Sequence, residues 1–202
     1  MTKSTIDSLL EKLHTIQKEV EYEIDSLLQA KREKFQYRIE KGKVHFDRSV
    51  RQIQKKYKTG SWSYLTHANL RHVLSVPVIY SLIFPFIFLD MAVNIYQQVC
   101  FRLYGIPLVK RKDYIVIDRH HLAYLNTIEK INCAYCGYGN GLIEFTREIA
   151  ARTEQYWCPI KHHKRTPDPH RHNEKFIDYG DLDEYTAKME KLREEIKIGD
   201  NL

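Results

Sequence analysis

The chain has 202 residues, 43% of them hydrophobic and 29% charged, and a formal charge of +6. That length allows one ordinary domain with extensions. The first residues, MTKSTIDSLLEKLHTIQKEVEYEI, carry charge where a secretory leader would be apolar, so the four cysteines are expected as reduced thiols and not as a disulfide framework.

Residues 4 to about 57 are expected to be helical. Ile6, Leu9, Leu10, Leu13, Ile16, Val20, Ile24, Leu27 and Leu28 recur at steps of three and four and draw one apolar stripe. Ser4 and Asp7 form a candidate capping pair at its start. The stripe suits packing on the rest of the chain, a helical hairpin, or a coiled-coil arm joining a protein partner or a second copy. With Ile6 as an a position, Glu23, Lys34 and Lys41 interrupt a strict heptad.

Between Lys31 and Arg71 twelve Lys or Arg stand against three acids. No nucleic-acid motif accompanies this charge, and it leads directly into an apolar segment. Anionic lipid headgroups are therefore the expected partner, and no nucleic acid. KTGSWS (58–63) punctuates the chain before that segment.

VLSVPVIYSLIFPFIFLDMAVNIY (73–96) has the length and composition of a membrane helix, with Asp90 as its single charge. Pro77 and Pro85 are expected to break it. Both flanks are basic, which favours a re-entrant or monotopic segment over a simple span. That arrangement also keeps the downstream thiols in a reducing compartment.

After Gly105 and Pro107, YIVID (114–118) reads as one short strand. Helices are expected over 119–132 and 141–157, and a last amphipathic helix over 182–197. CAYCGYGNG (133–141) lies between the first two and reads as a turn. Two cysteines with two residues between them, followed by Gly137, suit a metal knuckle, a redox pair, or plain packing. With Cys158 and His162, the pattern C-x2-C-x21-C-x3-H supplies four N/S ligands for zinc, or alternatively iron, with His163 as a competing ligand. A soluble lobe of fewer than a hundred residues is marginal from its core alone, so such a staple is physically reasonable. The redox reading is weaker, because the pair follows a helix and does not open one.

A second group of candidates is catalytic. Asp118 ends the expected strand and His120 and His121 come just after it, which suits an acid–base pair, a metal ligand with its orienting carboxylate, or a capping aspartate followed by solvent-facing histidines. Glu144 and Glu148, one turn apart, are candidate carboxylate ligands or, more simply, partners of Arg147 and Arg152. His170 and His172, in PDPHRH, are expected in an exposed basic loop.

The block YIVIDRHHLAYLNTIEKINCAYCGYGNGLIEFTREIAARTEQYWCPIKH (114–162), with VPVIYSLIFPFIFLD before it, resembles uncharacterised bacterial membrane-associated proteins. The resemblance implies a bacterial inner-membrane protein and carries no activity, while the re-entrant reading places the soluble parts in the cytoplasm. The CxxCG element is similar to the knuckles of rubredoxins and zinc ribbons, but CPIKH stands where those have a second CxxC. The expected fold is mainly α: long N-terminal amphipathic helices, a Pro-broken membrane helix, and a small α-rich metal-stapled lobe with one short strand. The expected regions are 1–60 (amphipathic and basic), 61–104 (membrane-associated), 105–180 (Cys/His lobe) and 181–202 (C-terminal helix). The expected function is a membrane-associated metal-binding protein. The alternative is a membrane-bound metalloenzyme or iron redox protein acting on an apolar or lipid-linked substrate through His120, His121 and nearby carboxylates.

Overall fold

The computed structural model describes residues 2–40, 43–164 and 166–198, and for 2–7, 9, 10, 40 and 43 it describes the backbone alone. The chain is mainly helical, as expected, and its contacts separate into two units: 1–61 with 120–126, and 62–119 with 127–202. The segments expected separately as 61–104, 105–180 and 181–202 thus fall almost wholly into the second unit.

In the first unit, α1 (Thr2–Lys34) is one helix of 33 residues. Every residue from Glu11 to Lys31 is exposed, so the apolar stripe lies open. The Ser4–Asp7 cap and the side chains of Ile6, Leu9 and Leu10 lie outside the described residues. Helix does not continue to residue 57. It stops at Gln36, whose φ of 51° is left-handed. A hairpin follows, β1 (Tyr37–Glu40) antiparallel to β2 (Lys43–Phe46), with Tyr37 opposite Phe46 and Ile39 opposite Val44. The reason is local: Tyr-x-Ile and Val-x-Phe alternate with period two and place aromatic and β-branched residues on one face. The Tyr37 and Phe46 rings stand 5.6 Å apart. After Asp47, α2 (Arg48–Lys56) resumes the helix, and its Gln54 Oε1 accepts from Ala123 N at 3.1 Å, tying 120–126 to this unit.

The second unit is built on the apolar segment. α3 (Ser61–Thr66) precedes it, and Asn69 caps α4 (Leu70–Ser81) by accepting from Arg71 N at 3.1 Å. α5 (Ile83–Tyr96), a π-helical turn (Gln97–Phe101) and α6 (Arg102–Tyr104) complete one apolar helix from Leu70 to Tyr104. It is interrupted at Leu82, where Pro85 withholds the N–H that Ser81 would accept. Leu82 keeps near-helical torsions of −64° and −12°, so the halves continue in one sense. The expected fold-back of a re-entrant segment is not formed.

Gly105, with φ 74°, ends this helix, and the chain returns through α7 (Arg111–Tyr114) to α8 (Thr127–Trp157). α8 runs parallel to the apolar helix: Tyr80 meets Asn132, Asp90 meets Tyr138, and Tyr96 meets Thr153. The return segment runs the other way along α8, from Pro107 beside Arg152 to Val116 beside Gly137. Residues 115–118 form no strand, so YIVID is not the expected one. α9 (Leu182–Ile198) packs near the end of α8. Phe101, Leu142 and Phe145 are fully buried at the centre, with Ile106, Val109, Ile149 and Ile196 around them.

CAYCGYGNG is not a turn. It lies inside α8, and the helices expected over 119–132 and 141–157 are largely one. Its glycines answer to neighbours distant in sequence. A Cβ on Gly141 would lie 2.6 Å from the Tyr114 carbonyl oxygen, one on Gly137 2.9 Å from that of Val116, and one on Gly139 2.9 Å from the Phe86 ring. Glycine in a helix costs about 1 kcal/mol relative to alanine, and here it lets backbone pass on one side and an aromatic ring on the other.

Candidate functional site

α8 decides which predicted residues can meet. Cys133 and Cys136 are one turn apart within it, while Cys158 follows its last residue. At about 1.5 Å of rise per residue, Cys133 and Cys158 are roughly 37 Å apart. His162 and His163 are exposed beyond that end, His163 beside Tyr179. The four expected ligands, Cys133, Cys136, Cys158 and His162, are therefore not gathered. Among the described residues no group of three or more His, Cys, Asp or Glu is placed to hold a metal. The donor set does not fit zinc or iron, because helix occupies the place of the expected turn.

The catalytic candidates lie in different elements. His120 and His121 lie in a short 3-10 turn, ring centroids 3.9 Å apart. Asp118 is exposed. Glu144 projects outward and pairs with Arg147 at 3.6 Å.

Glu148 differs from the others. Its side chain is only 8% exposed, and its Oε1 accepts from Arg152 Nε at 2.8 Å and from the Arg171 guanidinium at 2.6 Å, with His172 Nε2 at 3.3 Å. The network extends in three directions. Arg152 also donates to the Pro107 carbonyl at 2.8 Å, holding the return segment. Gln155 gives its amide hydrogen to the Leu192 carbonyl and so turns its oxygen to His172 Nδ1, 2.7 Å away. His170 Nε2 lies 2.9 Å from Glu154 Oε2. The PDPHRH loop is thus no loose basic loop, since His172 is buried and bonded to α8.

Burial raises the Glu148 carboxyl pKa, but hydrogen bonds from His172, Arg171 and Arg152 more than reverse this and hold it well below the usual carboxylate range. A general acid or base works best with a pKa near the operating pH. Glu148 is displaced away from it and its Oε1 is held by three side chains, so the arrangement is a clamp joining α8, the return segment and the 167–176 loop.

A second polar group lines the inner face of the apolar helix. Asp90 accepts from Arg111 at 2.7 and 3.1 Å and from the Tyr138 hydroxyl at 3.0 Å. Asn94 donates to Asp90, Gln97 donates to Asn94, and the Gln97 oxygen accepts from Val109 N at 3.1 Å. Reading residue types alone anticipated Arg152 as a partner of Glu148 but missed Arg111, Arg171, His172 and Gln155 as members of these networks. The available signal was a lone Asp90 in an apolar run, which demands a cation, and Glu148 four residues before Arg152. No known family model matches this chain, and no curated protein or solved structure is significantly similar to it.

Proposed function

We propose that the chain is a membrane-surface anchoring protein whose second unit lies on a bilayer, with the outer face of the Leu70–Tyr104 helix in lipid. The observation that supports this is the exposure of that helix. It is long and apolar enough to cross a membrane, with mean hydropathy 2.1 over its best window, and none of that window is buried. Leu74, Val78, Phe84, Phe88, Ile95 and Leu103 share one face and are 66–75% exposed. Such a patch marks a membrane or protein contact.

Seating in the plane of the membrane accounts for the unit better than crossing. Exposed charges accompany the helix along its length: Lys110, Lys112 and Asp113 near Asp90, Asp118 and Arg119 past Val116, and Glu144 on α8. Each would cost roughly 3 kcal/mol or more at the centre of a bilayer. An apolar face sunk about 5–10 Å into the interface leaves all of them in water. Trp62 and the basic residues between Lys31 and Arg71 supply interfacial and anionic-headgroup contacts. The resemblance of residues 114–162 implies a bacterial inner membrane. The proposal includes no metal staple, since the four expected ligands are not gathered among the described residues.

Flotation with sealed phosphatidylcholine–phosphatidylglycerol vesicles tests it. The full chain is expected to float, and the Phe84→Glu/Phe88→Glu chain to stay at the bottom with unchanged helical circular dichroism. Protease added outside should reach both α1 and α9. Wild-type protein left in the aqueous fraction would overturn the lipid contact, and protection of one end would replace in-plane seating by crossing.

A further inference from the structure

The exposed stripe of α1 carries an interaction that its own residues orient. Leu13, Ile16, Val20, Ile24, Leu27 and Leu28 are 40–58% exposed on a helix that nothing covers from Glu11 to Lys31. A helix with no packed face is marginal in water, because helices in proteins draw most of their stability from tertiary burial. Two copies of this stripe offer roughly 1,000 Å² of apolar area, near the lower bound for a specific interface.

We propose that α1 pairs with α1 of a second copy as an antiparallel coiled coil centred between Glu21 and Tyr22. The heptad that starts at Ile6 places Leu13, Val20 and Leu27 at a, and Ile16, Glu23 and Ala30 at d. In a parallel pair, equivalent positions face each other, so Glu23 meets Glu23 across the apolar centre. The flanking g and e positions then pair Lys12 with Gln17, Glu19 with Ile24 and Ser26 with Lys31, none of them opposite charges. Reversing one helix changes both outcomes. Layers become Leu13 with Ala30, Ile16 with Leu27, and Val20 with Glu23, which separates the two carboxylates. The g positions now face each other, and Lys12 of each copy meets Glu33 of the other. Lys12 and Glu33 are exposed, as such a contact requires. Charge complementarity therefore selects a second copy of this chain, and its direction.

The test uses the full chain with Cys100, Cys133, Cys136 and Cys158 replaced by serine. Mild oxidation of a mixture of Leu13→Cys and Ala30→Cys chains is expected to give disulfide-linked dimer, and neither chain alone should. Dimer from Leu13→Cys alone would establish the parallel pair and overturn the proposal, as would no dimer in any mixture. Sedimentation in detergent of chains with native cysteines gives a second readout. Lys12→Glu is expected to weaken dimerisation about 3- to 10-fold and Glu33→Lys in the same chain to restore it, whereas a monomeric wild type, or no restoration, counts against the pairing. The Phe84→Glu/Phe88→Glu chain should dimerise as wild type does. Loss of the dimer there would place the contact on the membrane helix and overturn the pairing of α1, separately from the fate of the lipid reading.

Discussion

Glu148 holds three elements together through one carboxylate, and its removal is the most informative single change in the second unit. Glu148→Gln leaves the side chain of Arg152, 13% exposed, without its counter-charge. A buried ion network broken on one side loses about 3–5 kcal/mol, which urea denaturation at pH 7 would register. The pH dependence follows from the direction of the shift. Burial opposes ionisation and the His172, Arg171 and Arg152 hydrogen bonds overcome it, so the folded pKa lies below the ordinary 4.5. The unfolded chain therefore takes up the proton first. The stabilisation is complete above about pH 5 and is lost as the pH falls through 4.5 and below. Between pH 6 and 3 the wild type should lose more stability than Glu148→Gln. The cysteines give a second residue-scale outcome. Cys136 and Cys158 are exposed while Cys100 and Cys133 are half-buried, so a thiol reagent should modify the first two faster. Cys133→Ser should leave the rate at Cys158 unchanged, as two sulfurs held by one ion would not. The i, i+4 spacing made Arg152 legible as a partner of Glu148, but Arg171 and His172 lie 23 and 24 residues away, on a loop whose docking no local pattern reveals.

At the scale of elements, α8 shows why a glycine-rich stretch is ambiguous. Three glycines within five residues are turn signals when only neighbours in sequence are considered. What makes them helical is the passage of Tyr114–Val116 and Phe86 across α8, information held 20 to 50 residues away. Alanine separates the two origins of glycine. Gly141→Ala would bring a methyl group within 2.6 Å of the Tyr114 carbonyl oxygen and 2.8 Å of Ile115 Cα, backbone that cannot rotate aside. The expected loss is about 1–3 kcal/mol, despite a helix-propensity gain of about 1 kcal/mol. Gly60→Ala meets nothing within 4 Å and should change stability by less than about 0.5 kcal/mol. Thermal denaturation of the two variants checks both values. The β1–β2 hairpin was hidden for the opposite reason. Its two alternating runs are only four residues each, and they stand between helices whose charged pattern continues through them.

For the whole molecule, the sequence made helical content, the apolar helix and the last helix legible, because each is written in an uninterrupted periodicity. The 182–197 expectation and the observed Leu182–Ile198 nearly coincide. The metal-stapled lobe was inferred from spacing alone, and spacing fixes separation along the chain without fixing the path between. Once α8 is one continuous helix, C-x2-C lies within it and C-x3-H follows its end. The pairing of α8 with the apolar helix also has a temporal side. Asp90 is synthesised 21 residues before Arg111 and 48 residues before Tyr138. At about 5–20 residues per second, these partners leave the ribosome roughly one to four and two to ten seconds later. Between the completion of Tyr104 and the emergence of Arg111, Asp90, Asn94 and Gln97 have one another and water as partners. On the proposed membrane seating, this wet stripe would hold the nascent helix at the lipid–water boundary until α8 covers it.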